Sequence, residues 1–165
     1  MHNDTFDKIL SFLKKVDIDF SLCSISETTF LPGMKIENGA LLIDTERLEH
    51  SGDILHEAGH IAISTEEQRF SISGDAKDFG HSASDEMAAI AWSWAAIVHI
   101  NLPPDVVFHP DGYKGGSNSI INAFQNGHGF GYPMLYSWYM CELPTQPNGF
   151  PKMLSWLRSE KNHIN

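Results

Sequence analysis

A chain of 165 residues, 42% of them apolar and 19% charged, can bury a substantial core in one domain and excludes a mostly disordered protein. The formal charge of −10 opposes polyanionic partners, so neither nucleic acid nor an acidic membrane surface is an expected ligand. Cys23 and Cys141 form neither a disulfide framework nor a CxxC metal pair. Two reduced thiols fit a cytoplasmic protein.

In chain order, residues 4–16 read as an amphipathic helix. Phe6, Ile9, Leu10, Leu13 and Val16 recur at helical spacing, with Lys8, Lys14 and Lys15 elsewhere on the wheel. Acidic residues precede these apolar ones, the wrong order for a secretory signal. The stretch "IDFSLCSI" then alternates like a strand, "FLPGMKI" holds a Pro-Gly turn, and "GALLID" (residues 39–44) reads as a short buried strand. A helix capped by Thr45 or Ser51 runs to about Ile63, and the polar segment 65–81 is a loop.

Ser82 or Ser84 caps the next helix, which ends near Asn101, before Pro103 and Pro104. Its apolar run, 87–100, is shorter than the ~20 residues that span a bilayer and contains Ser93 and His99. Two short helices, "NSIINAFQNG" and "YPMLYSWYMC", flank a glycine-rich link, and an amphipathic piece from Phe150 to Leu157 follows. Helices outnumber strands, and the strands gather in the N-terminal third. The expected class is α+β, as a single domain over residues 1–165 with a small N-terminal sheet and a mostly helical C-terminal part.

The segment "SGDILHEAGHIAIS" carries the chemistry. On a helix each residue turns about 100°, so His56 and His60 lie one turn apart on nearly one face. Both can turn a ring nitrogen to one cation. Glu57 is displaced around the wheel, poorly placed to ligate and well placed to take a proton from water beside the ion. This is the HExxH pattern of zinc hydrolases. Gly59 between the histidines costs ~1 kcal/mol against alanine, so another element is expected to approach that turn closely.

A catalytic zinc needs a third protein ligand. The longer pattern HExxHxxGxxH is excluded, because Ile63 and Glu66 stand where it requires Gly and His. Glu86 is the leading candidate, since Ala89, Ile90 and Ser93 form a small, mostly apolar stripe on its face, and a carboxylate there needs a cation. His81, Asp85 and Asp78 stay open as alternatives. So does a purely structural role for Glu86 in the acidic first turn of its helix.

"HEAGH", followed by a helix led by Glu86 with Ala89 three residues on, resembles the gluzincin type of zincin metallopeptidase. More narrowly, it is similar to the ImmA/IrrE-like family of small bacterial and phage-associated metallopeptidases. The resemblance covers roughly residues 39–104, with Trp92 and Ser93 where that family carries Phe and Ala. It implies a zincin-like fold, a Zn2+ ion held by His56, His60 and Glu86, and hydrolysis of peptide bonds in a peptide or protein substrate. As in zincins, the strand 39–44 would offer an open edge to an extended peptide.

In that reaction Glu57 takes the proton of a metal-activated water and passes it to the leaving amine. A further donor must stabilise the oxyanion. His109, Tyr113, His128, Tyr132 and Tyr136 are candidates, and His128, in the flexible run "NGHGFGYP", is singled out. Two other functions share the motif. One is a catalytically silent metal-binding module for regulation or partner recognition, and the other is a metal-dependent hydrolase of a non-peptide bond. Composition says nothing of the oligomeric state.

Overall fold

The computed structural model describes residues 3–159. Its architecture is α+β: a small mixed sheet is followed by a mostly helical remainder. Helix α1 (Asp4–Lys15) forms as its pattern predicts. The Asn3 side chain accepts the Phe6 N–H, acidic residues occupy the first turn and Lys14 and Lys15 the last, so caps and charges agree with the helix dipole.

Strands β1 (Phe20–Leu22), β2 (Met34–Glu37) and β3 (Ala40–Ile43) lie in the order β1-β3-β2, with β1 parallel and β2 antiparallel to β3. The sequence reading missed β2, because the Pro-Gly turn masked the alternation of Met34, Lys35 and Ile36. The reading of 39–44 as an open edge is overturned. β3 is the central strand, hydrogen-bonded on both sides, and the outer side of β2 is bridged to Gly74 at Ile36.

Helix α2 (Asp53–Ile63) carries the histidine pair. It starts later than the Thr45 or Ser51 caps suggest, with Gly52 at its N-cap and no side-chain cap. Gly52 is required by contact: a Cβ there would run into the Val106 backbone carbonyl. The polar segment 65–81 is a loop except for one turn, α3 (Glu66–Arg69), capped by Thr65. Helix α4 (Ala83–His99) begins at Ser82, which forms a capping box with Asp85.

Two 3-10 turns (Pro104–Val106 and Tyr113–Gly115) and helices α5 (Ser117–Gln125) and α6 (Tyr132–Ser137) follow. No helix among the described residues is long and apolar enough to cross a membrane. Every residue of α4 from Ala88 to Ile97 is buried, so its apolar run is core all round.

α2 packs on β2, β3 and α1, and most extensively on α4. The expected close approach at Gly59 occurs there. A Cβ on Gly59 would stand 2.9 Å from the Ala89 carbonyl oxygen and 3.4 Å from the Ala89 Cβ. Ser93, buried one turn further along α4, donates to the Ala89 and Leu55 carbonyls across the same seam. The C-terminal segment returns over these helices: the Trp92 indole N–H donates to the Trp156 carbonyl, and the Arg158 N–H donates to Ala62 at the end of α2. Both cysteines are free thiols, Cys23 exposed and Cys141 buried.

Replacing Gly59 by valine is expected to force α2 and α4 apart. It should lower stability by roughly 2 kcal/mol despite the gain in helix propensity. A thermal melt checks this, and a melting temperature equal to wild type would show that the seam is not tight.

Candidate metal centre

Burial of one face of α2 against α4 dictates where the titratable side chains go. His56 and His60 point into the seam, and Glu86, in the first turn of α4, faces them across it. The His56 Nε2 lies 3.3 Å from Glu86 Oε1, the His60 Nε2 lies 2.8 Å from Glu86 Oε2, and one ligand atom from each residue falls within a common 4.8 Å. Two donors of a tetrahedral zinc stand about 3.3 Å apart, so these spacings suit such an ion. The two imidazoles are nearly perpendicular, at 84° with ring centres 5.0 Å apart, which lets each aim its in-plane lone pair at one point.

The His60 ring is 1% exposed, and its Nε2 has no hydrogen-bond partner. Its 2.8 Å approach to Glu86 is therefore a contact by distance alone, because a ring N–H would not lie along that line. A buried polar nitrogen left unpaired costs on the order of 1–3 kcal/mol. A cation between these groups removes that cost, and the donor set of two histidines and one glutamate is a catalytic zinc set. The residues present fit the ion.

Burial and the neighbouring His60 push His56 down to about 4, so its ring is neutral and free to ligate. Burial alone would raise Glu86, but His60 and His56 opposite outweigh it and hold the carboxyl below its ordinary range. Glu57 lies beside the cluster, with its carboxylate 3.9 Å from His56 Nε2. Burial, with Glu86, Asp53 and Asp75 adding repulsion against His60's opposing pull, raises it to about 7. It also borders a groove flanked by Thr28, Thr29, Phe30, Met34 and Gly74.

The other candidates for a third ligand have partners elsewhere. Asp85 accepts from Ser82 in the capping box. Asp78 caps the turn at Asp75. His81 turns its Nδ1 to the Nδ1 of His60, 2.8 Å away, on the side opposite the ligand face.

Among the oxyanion candidates, Tyr113 reaches the site: its hydroxyl lies 3.0 Å from His56 Nδ1, with the rings edge to face at 5.4 Å. Tyr113 adopts φ +54°, a left-handed conformation costing ~1–3 kcal/mol for a bulky residue, held against His56 and Phe108. His128 stands exposed on the turn after α5, and no hydrogen bond, ion pair or ring contact joins its side chain to the histidine pair. Tyr132 stacks on Phe150, and Tyr136 is exposed.

His109 is committed elsewhere: its Nε2 pairs with buried Asp53 at 2.7 Å, tying the loop that bears Tyr113 to the start of α2. The sequence reading did not connect Asp53 with His109. His50 and Asp111 adjoin this pair. However, the His50 and His109 rings are stacked 3.6 Å apart at 10°, so their in-plane lone pairs lie in parallel planes and do not converge on one ion.

The chain matches no family model, no curated protein and no solved structure. The site therefore stands on its own geometry.

Without metal, Glu57 binds a proton more tightly folded than unfolded. Its contribution to stability is complete below pH 4.5 and is lost as pH rises through about 7. That span corresponds to at most ~3 kcal/mol. Glu57→Gln, neutral throughout, should raise the melting temperature of metal-free protein at pH 8 and change it little at pH 5. An equal effect at both pH values would contradict the raised carboxyl.

Proposed function

We propose that this chain is a zinc-dependent metallopeptidase of the gluzincin type, zincin-like in fold and similar in motif to the ImmA/IrrE-like family. Its substrate is a peptide or protein. The observation that carries the reading is the convergence of His56, His60 and Glu86 within 4.8 Å across the α2–α4 seam, with Glu57 alongside at the edge of a groove. A small sheet preceding the HExxH helix, with the glutamate on a following helix, is the order the resemblance implies.

His56 and His60 through their Nε2 atoms, and Glu86 through its carboxylate, would hold the ion. The cation would supply Lewis acidity, polarising an amide carbonyl and making water a nucleophile near neutral pH. Glu57 accepts the water proton on its carboxylate and delivers it to the leaving nitrogen, a task suited to a carboxylate beside the histidines at the edge of the groove. With its Nε2 engaged, His56 donates from Nδ1 to the Tyr113 hydroxyl, which fixes the ring orientation.

The substrate reaches Glu57 along the groove between residues 28–31 and Gly74, beside Met34 and Lys35 of β2. It does not pair with β3, which is covered on both edges. The intact Glu57 favours chemistry over a silent binding module, since binding a metal requires no base at that position.

Purified protein loaded with zinc should retain about one equivalent, and less than ~0.2 equivalents would remove the basis for the reading. Glu57→Gln should keep the metal and lose about 10²–10⁴-fold in cleavage of a peptide library. A chelator should abolish cleavage and added zinc restore it. Metal retention by a wild type that cleaves nothing in the library would instead identify a non-cleaving module.

A further inference from the structure

We infer that His81 is a positioning residue that fixes the tautomer of His60, leaving the His60 Nε2 as a bare electron pair aimed at the metal position. The inference rests on the metal reading for its purpose and on hydrogen-bond bookkeeping for its content. The Ser64 hydroxyl donates its only proton to the His60 carbonyl, at 2.8 Å. Towards the His81 Nε2, 3.2 Å away, Ser64 Oγ can therefore only accept. The proton of a neutral His81 consequently sits on Nε2, and its Nδ1 is bare.

That bare Nδ1 faces the Nδ1 of His60 at 2.8 Å. Two ring nitrogens at this distance share one proton, and it must belong to His60. A neutral His60 protonated at Nδ1 has no proton on Nε2. This agrees with a buried Nε2 that makes no hydrogen bond to the Glu86 oxygen 2.8 Å away. A buried ring nitrogen with a bare electron pair and no donor beside it is open to a cation, which is how this tautomer serves the metal reading.

The fold holds His81 in place from two directions. The Phe79 ring meets it edge-on at 4.6 Å and 87°. It immediately precedes Ser82, the N-cap of the helix that carries Glu86. The loop residue that orders one ligand thus abuts the start of the helix that presents another.

The test compares zinc affinity, by competition with a chromophoric chelator, in wild type and three variants. Asparagine can place its side-chain oxygen near the lost Nδ1, whereas glutamine places its amide nitrogen near the lost Nε2. His81→Ala and His81→Gln should bind zinc about 10–100-fold more weakly, and His81→Asn should stay within about 3-fold of wild type.

Independently, nitrogen-15 NMR of the metal-free wild type should show His60 protonated at Nδ1. His81→Gln should shift His60 towards the Nε2-protonated form. Thermal melts of the metal-free variants establish folding, and the Asn and Gln variants decide the matter should the alanine variant not fold. Unchanged affinity in His81→Gln, or an equal loss in His81→Asn, overturns the inference. A wild type that binds no zinc overturns the metal reading, whereas a metal-free His60 protonated at Nε2 overturns this inference alone.

Discussion

The approach of α2 to α4 at Gly59 and Ala89 governs the rest of the molecule. With hydrogen as its side chain, Gly59 lets the Ala89 backbone come close enough that Glu86, one turn earlier on α4, reaches both histidines of α2. A ligand set drawn from two helices is only as precise as the contact between them. Here that contact is helix backbone against helix backbone, stiffened by Ser93 donating to carbonyls of both. Rigid elements rather than loops therefore set the donor spacing, which is how a site is held to within a fraction of an ångström.

Burial does the electrostatic tuning. The histidines and Glu57 are largely buried, where charge is costly. His56 is kept neutral, and Glu57 is lifted towards neutrality. Glu86, 39% exposed, meets the same penalty, and the histidines opposite outweigh it and hold the carboxyl below its ordinary range. Three acid–base groups a few ångströms apart thus take different protonation states. A cation would draw Glu57 back towards ionisation, coupling the proton acceptor to occupancy of the site.

Each histidine of the pair is met by a separate piece of chain. His56 is met by Tyr113 from the loop that the Asp53–His109 pair anchors, and His60 by His81 from the loop before α4. These supports lie 21 or more residues from the histidine they contact. They account for the left-handed backbone at Tyr113, which local propensity alone would not select.

What the sequence determined by itself was local. The i, i+4 spacing places His56 and His60 on one helical face, an apolar stripe makes Glu86 the leading candidate for a third ligand, and Ser82 is one of two serines able to cap the helix that carries it. Each of these is a matter of helical period or of neighbours within four residues. The tertiary structure decided the rest. It made β3 central and β2 a strand, set Gly52 rather than Thr45 or Ser51 at the start of α2, brought Tyr113 to His56 while leaving His128 in solvent, and set the His81 ring against the Nδ1 of His60. Those outcomes depend on strand order, helix contact and loop path, interactions between residues far apart in the chain. No spacing rule within a segment carries that information.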